Sequence, residues 1–338
     1  MGERDAGDGR RLSVVWSQEE RFKRTWAERT IARYRRAALL FVLLLVTAAG
    51  IVALGGIVLA EQALHPRRHR LDAHARDLAA DVASRTGATL GDATIVARDG
   101  VLLRGWYFTR TGDARGTAVL LHGVSTNRSA MLGFAELLLA HGYRVLATDA
   151  RAHGASGGPI ATYGVLERQD LRAWTGWVRD RHPDECVFGV GASMGAAILL
   201  QTLHAETYCA AVAEAPFAEF REIALFRLGR GLPLPLAARR LLLGPFVASG
   251  VLYTRLRYGI ALDEADALPS VARTRVPVLL VHGTDDDSIP ARDAERLAQA
   301  NPDRVEVWIV PGGRHVRSWH AAPEEFPRRL LEFLDLHQ

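Results

Sequence analysis

The chain has 338 residues, is 49% hydrophobic and 24% charged, and carries a formal net charge of +4. That is enough apolar material for one large core, and the roughly 250 residues after the first ninety fit a single α/β domain. The positive charge comes almost wholly from arginine, Lys23 being the only lysine, and it is scattered rather than gathered into a stripe, which speaks against a nucleic-acid partner.

Residues 1–36 form a basic N-terminal tail. Within it Ser17 and Glu20 make a capping-box pattern, and Trp16, Phe22, Trp26 and Tyr34 are interleaved with charge, which predicts an interfacial helix. Ala37 to Ala60 is an uncharged run of 24 residues, long enough as a helix to cross a hydrocarbon layer about 30 Å thick. The alternative is a cleaved signal peptide, since Val58 and Ala60 fit a small-residue cleavage site. The run is too long and the preceding tail too extended for that reading to be preferred. Arg21, Lys23, Arg24, Arg29, Arg33, Arg35 and Arg36 precede the run, against Arg67, Arg68, Arg70 and Arg76 after it, a bias that places the N-terminus inside and the rest of the chain on the extracytoplasmic side.

Residues 61–92 read as a linker, with Leu71, Ala75, Leu78 and Val82 at helical spacing up to Gly87. Residues 93–338 change character. Thr94–Ala97, a turn at Asp99-Gly100 and Val101–Phe108 read as a β-hairpin. Apolar runs then alternate with helical stretches: Thr117–His122, Tyr143–Asp149, Cys186–Val190, Cys209–Glu214, Val276–His282 and Val305–Val310 as strands, Ala130–Ala140 and Val165–Arg181 among the helices. This alternation predicts an α/β fold with a mostly parallel sheet covered on both faces. Pro277 cannot donate to a ladder, so its strand is expected to begin at Val278 or to tolerate the proline at its first position. About sixty residues separate Pro216 from Val276, far more than a crossover needs, and predict an inserted helical lid at about 217–270. Its apolar residues, among them Phe217, Phe220, Phe226 and Phe246, either shape a pocket or pack the lid down.

Cys186 and Cys209 each lie five residues before the residues at which their strands end, Gly191 and Glu214. The preferred reading is a pair of buried thiols, with a disulfide as the alternative if both side chains point to one face.

Gly191-Ala192-Ser193-Met194-Gly195 follows an apolar run and opens a helix-forming stretch. A serine at such a strand-to-helix elbow is lifted above the sheet, and the turn demands residues without bulk two before and two after it. Gly154-Ala155-Ser156-Gly157-Gly158 fits the same pattern, but Gly157, Gly158 and Pro159 make a poor helix start, so Ser156 is read as loop. A serine hydroxyl needs an imidazole base and a carboxylate to orient it. Both stand after later strands: His282-Gly283-Thr284-Asp285-Asp286-Asp287 and Gly312-Gly313-Arg314-His315.

The order Ser, Asp, His, with the elbow and with His122-Gly123 closing an early strand, resembles the α/β-hydrolase superfamily, in particular its lipase, esterase and monoacylglycerol-lipase-like members. The resemblance covers roughly Thr94 to His337. It implies Ser193 as nucleophile, Asp286 as the acid of the H-G-x-x-D turn and His315 as base, with Asp285 and Asp287 as fallback acids and His320 as a competing base. It also implies an oxyanion hole from the amides of Met194 and Val124, or less favourably Ser125 in place of Val124. Asp149-Ala150-Arg151-Ala152-His153-Gly154 resembles the family's D-x-R-G-H-G turn but carries Ala152 where glycine is usual, and His153 is read as structural. Arg314 beside the base is a second departure, read as a solvated arginine.

The expected protein is therefore a single-pass, membrane-anchored serine hydrolase with an α/β-hydrolase fold, acting on lipid-like or other carboxylic esters. Peptidases and thioesterases share the same motifs and are the alternative, and a non-catalytic membrane scaffold is a more distant one. No cofactor is expected. No metal is expected either, because Pro66 separates His65 from His69 and no H-E-x-x-H occurs.

Overall fold

The structure, a computed structural model, describes residues 17–205 and 208–338. Trp16 of the expected interfacial segment lies outside the described residues. Two compact units divide at Val52 and Ala53.

The described part of the first unit belongs to α1 (Gln18–Leu64). The capping box forms as expected: the Glu20 amide donates to Ser17 Oγ at 3.3 Å, and the Ser17 amide donates to the Glu20 carboxylate at 3.0 Å. The expected interfacial helix leads into the apolar run as one uninterrupted helix. The reason is compositional, since no proline or glycine occurs between Gln18 and Ala49 to open the hydrogen-bond ladder. An 18-residue window of α1 has a mean hydropathy of 2.8 with none of it buried, so the described residues hold one helix long and apolar enough to cross a membrane.

In the second unit α1 continues to Leu64, which is fully buried. α2 (Ala73–Thr86) starts at Asp72, whose side chain accepts the Ala75 amide at 2.8 Å, and ends at the left-handed Gly87. Eight strands follow among the described residues: β1 (Thr89–Val96), β2 (Leu102–Thr109), β3 (Thr117–Leu121), β4 (Arg144–Thr148), β5 (Val187–Ala192), β6 (Ala210–Glu214), β7 (Val278–Gly283) and β8 (Val305–Val310). They form one sheet in the order β1-β2-β4-β3-β5-β6-β7-β8. β1 and β2 are antiparallel to their neighbours, and the rest run parallel. β1 begins earlier than the pattern indicated, at Thr89, because its outer residues pair with β2 while showing no clear apolar alternation. β7 begins at Val278, just past Pro277.

Helices α3 (Leu132–Ala140), α4 (Glu167–Arg179) and α5 (Met194–Thr202) fill the crossovers. After β6 come α6 (Phe220–Leu228), α7 (Leu236–Tyr258) and α8 (Leu268–Val271), which occupy the expected insertion. α9 (Arg292–Ala300), α10 (Ser318–Ala321) and α11 (Glu325–Asp335) complete the chain. One core packs α2, α3 and α11 on one face of the sheet, and a second packs α4, α5, α8 and α9 on the other. A third joins Leu64 to Phe217, Phe220, Ile223, Val251 and Ile260 of the insertion.

The thiol reading of the two cysteines is overturned, because Cys186 and Cys209 form a disulfide. They stand just ahead of the neighbouring parallel strands β5 and β6, where the Cys209 amide donates to the Val187 carbonyl at 2.9 Å. Their Cα atoms are 5.6 Å apart, within bridging range, with both side chains on one face of the sheet.

Candidate active site

Ser193 sits between the last residue of β5 and the first of α5, with φ 53° and ψ −116°. A non-glycine residue there carries a cost of about 1–3 kcal/mol, and the surrounding hydrogen bonds hold it in place. Its amide donates to the Glu214 carbonyl at 2.8 Å, and its carbonyl accepts the Ala197 amide at 3.0 Å. The demand for small flanking residues is real. A Cβ on Gly195 would lie 2.4 Å from the Leu121 carbonyl oxygen, and one on Gly191 would lie 2.7 Å from the backbone of Ala196.

His315 lies in the turn between β8 and α10. Its Nε2 is 2.9 Å from Ser193 Oγ, and its Nδ1 is 2.8 Å from Asp286 Oδ2. Asp286 lies in the turn after β7, and a backbone bond from the Asp285 amide to the Gly313 carbonyl, 2.9 Å, joins that turn to the one carrying His315. Asp286 Oδ1 accepts the amides of Ser288 and Ile289, both at 2.9 Å. His282 Nε2 lies 3.2 Å from Asp286 Oδ2 and 2.9 Å from the Ile289 carbonyl. Burial alone would raise the Asp286 pKa. The hydrogen bonds from His282, His315 and the Ile289 amide outweigh it and hold the carboxyl well below the usual carboxylate range. Asp285 and Asp287 are exposed, the first bonded to Thr284 and the second paired with Arg230.

The structure thus brings Ser193, His315 and Asp286 together and leaves the rival residues elsewhere. The Ser156 hydroxyl donates to the Asp149 carbonyl at 2.8 Å and accepts the Arg104 amide at 2.9 Å, which commits it to the loop. His153 is fully buried, its Nδ1 2.8 Å from the Arg151 carbonyl. His320 and Arg314 are exposed.

His122, quoted in the sequence only as the end of a strand, is buried. Its Nδ1 donates to the Gly123 carbonyl at 2.7 Å and its Nε2 accepts the Ala150 amide at 3.1 Å. Burial drives its pKa down to about 3, so it pins the loop that carries Val124 as a neutral ring. His282 and Glu214 were also passed over. The signal for His282 was its place four residues before Asp286. For Glu214 it was a carboxylate ending an otherwise apolar strand.

Two cavities meet at Ser193. One, of about 400 Å³, is apolar: Val124, Met194, Phe217, Phe220 and Ile223 line it with Ser193, and Arg227 is its one charged neighbour. The other, of about 540 Å³, is bordered by Glu214, Arg227, His315, Trp319 and His320. Among the described residues no cluster of His, Cys, Asp or Glu has the arrangement to hold a metal ion.

An elbow serine above a mostly parallel, helix-covered sheet defines an α/β hydrolase, and the chain belongs to the alpha/beta hydrolase family, whose profile matches residues 118–329. It is 31% identical over 235 residues to YqkD, an uncharacterized protein of Bacillus subtilis (strain 168), covering 68% of this chain and 74% of YqkD. It is 27% identical over 234 residues to the monoacylglycerol lipase of Mycolicibacterium smegmatis, covering 62% of this chain and 84% of that protein. The solved structure of the Pyrococcus furiosus esterase Pf2001 matches with a TM-score of 0.64 at 27% identity, covering 81% of this chain and 98% of the esterase.

Proposed function

We propose that this chain is a membrane-anchored serine hydrolase that cleaves carboxylic esters through an acyl-enzyme, with Ser193 as nucleophile, His315 as base and Asp286 as its orienting acid. The observation that carries this reading is the unbroken line of hydrogen bonds from Ser193 Oγ through both nitrogens of His315 to Asp286, beside an apolar cavity.

In this mechanism Ser193 Oγ attacks the ester carbonyl while its proton passes to His315 Nε2. The ionised Asp286 fixes the Nδ1–H tautomer and stabilises the imidazolium. The tetrahedral oxyanion is assigned to the amides of Met194 and Val124. Met194 opens α5, where amides have no partner inside the helix, and Val124 borders the same cavity. His315 then gives its proton to the departing alkoxide. Water, deprotonated by His315, attacks the acyl-enzyme, and collapse of that second intermediate returns the proton to Ser193 and releases the acid. Two relatives named as an esterase and a monoacylglycerol lipase support ester as the substrate class.

Membrane anchoring is supported by the apolar length of α1. Retention of the helix, rather than its removal as a signal peptide, is supported by its last turns: Ala60 and Leu64 are buried within the second unit, and a cut near Ala60 would strip a wall from the apolar cavity. The excess of basic residues before the apolar run and the Cys186–Cys209 disulfide both support an extracytoplasmic, oxidising location for the hydrolase domain.

Incubating the detergent-solubilised full-length protein with a fluorophosphonate probe tests the nucleophile. Labelling is expected in the wild type and in Ser156→Ala but not in Ser193→Ala, and labelling that survives Ser193→Ala would refute the assignment. Faster turnover of aminoacyl anilides than of acyl esters would move the reading to a peptidase.

A further inference from the structure

The apolar cavity beside Ser193 is closed in part by α1. Leu59, Ala60 and Ala63, in the last turns of that helix, face it across from Phe246, Val247 and Val251 of α7. The two helices touch backbone to backbone. A Cβ on Gly56 would lie 2.7 Å from the Gly250 amide nitrogen, and one on Gly250 would lie 2.9 Å from the Gly56 carbonyl oxygen. The Phe246 ring occupies the place where Gly55 has no side chain. Farther on, Tyr253 and Tyr258 both donate to Glu61 Oε1, at 2.6 and 2.7 Å. α7 therefore keeps contact with α1 from Gly55 to Glu61.

Gly55, Gly56, Leu59 and Ala60 all belong to the apolar run Ala37–Ala60. At a rise of 1.5 Å per residue, Gly55 lies about 7 Å inside the end of that run. Wherever the run crosses a bilayer, the part of α7 that touches Gly55 lies at the depth of the lipid tails.

The outer face of α7 suits that position. Leu241, Pro245, Ala248, Leu252 and Leu256 follow one another at intervals of three or four residues and so share one face, while Ser249 is turned toward Gly56 of α1. None is charged, and Leu241, Leu252 and Leu256 are 77%, 57% and 77% exposed. Arg239, Arg240 and Arg257 of the same helix fall outside this strip, and Arg255, three residues after Leu252, borders it and is paired with Asp263. An exposed, charge-free leucine strip on a helix packed against a membrane-spanning segment is matched by hydrocarbon.

Building on the proposed function, we infer that the cavity is filled from the bilayer. The substrate is a single-chain acyl ester resident in the leaflet beside Ala60. Its chain lies between the end of the anchor helix and α7, its carbonyl reaches Ser193, and the leucine strip of α7 is immersed in the same leaflet. The cavity is at the small end of the range usual for drug-sized ligands, about 300–1,000 Å³, which suits one chain.

The test uses the full-length protein in phosphatidylcholine vesicles, with butyryl and dodecanoyl esters of one fluorogenic alcohol. In Leu59→Trp the ratio of dodecanoyl to butyryl kcat/KM is expected to fall about tenfold or more, and in Leu59→Ala the preference is expected to move to longer chains. Ratios unchanged in a variant that still takes up a fluorophosphonate would overturn the acyl site at α1, and Leu59→Ala decides the matter if Leu59→Trp does not fold. Because Cys186 and Cys209 are paired, Leu252→Cys, level with the end of the apolar run, supplies a single free thiol for an environment-sensitive fluorophore. Quenching of that fluorophore by lipids brominated on the acyl chain is expected. Emission untouched by brominated lipid, whether the face is wet or covered by a second copy or another protein, would overturn the immersed lid. A wild-type chain that takes up no probe refutes the serine-hydrolase reading itself, which separates that failure from failure of the inference.

Discussion

Ser193 and Glu214 are joined through the backbone: the amide of the first donates to the carbonyl of the second at 2.8 Å, across the neighbouring strands β5 and β6. Glu214 also turns its carboxyl toward the turn after His315, where Oε1 accepts the Ser318 amide at 2.9 Å. One buried residue thus fixes both the elbow and the segment after the histidine, and burial raises the pKa of its carboxyl.

A raised folded-state pKa means that the fold favours the neutral acid. The stability so gained is fully present below the unfolded pKa, about 4.3, and is lost as pH rises through the folded value. Glu214→Gln keeps an acceptor for Ser318 without the charge. Its Tm relative to wild type is expected to rise as pH is raised from 4 to 8. Parallel melting curves across that range would refute the shift.

Asp286 has the opposite sign. Its lowered pKa gives stability that is present above the unfolded value, about 3.9, and is lost only as pH falls through the depressed folded value. Asp286→Asn is therefore expected to melt below wild type from pH 5 to 8 and to converge with it toward pH 2. In the proposed mechanism it also loses about 10⁴-fold in kcat, while Asp285→Asn and Asp287→Asn stay within about twofold. Steady-state kinetics on a soluble acyl ester read the second effect and circular dichroism the first.

The disulfide closes a loop with a sequence separation of 23, for which chain entropy assigns about 3 kcal/mol. The double variant Cys186→Ser, Cys209→Ser is expected to melt several degrees lower, and a reductant is expected to lower the wild type to the same point without affecting the variant. A wild type whose melting ignores reductant under unfolding conditions would show that the bridge adds nothing.

Ala152 occupies the left-handed region at φ 58°. The conformation costs an L-residue about 1–2 kcal/mol, offset in part by its buried methyl group. Ala152→Gly is expected to stabilise the protein by up to about 1 kcal/mol, read from the denaturant midpoint at unchanged slope. A lower midpoint would show that the methyl contact dominates.

Much of this was legible in the sequence because it depended on local pattern. The elbow declared itself through Gly191 and Gly195, which the backbone of Ala196 and the Leu121 carbonyl leave no room to replace. The strand runs Val278–Val281 and Val305–Val310 pointed to the turns that carry Asp286 and His315. What stayed hidden depended on contacts between distant segments. Whether Cys186 and Cys209 pair is decided by which face of adjacent strands they share, and a five-residue spacing does not say. The contact of Gly56 with Gly250 joins positions nearly two hundred residues apart, each of which looks alone like an ordinary helical glycine. The start of β1 was hidden because its residues take their order from pairing with β2 rather than from their own alternation.

Ser193 borders both cavities, and Arg227 reaches each of them. In the proposed mechanism, with the acyl chain held on the apolar side, the departing alcohol vacates the other, and the incoming nucleophile arrives through that same space. The partition between water and a second alcohol, and so between hydrolysis and acyl transfer, then falls to Glu214, Trp319 and His320 around the second chamber rather than to the residues that grip the chain.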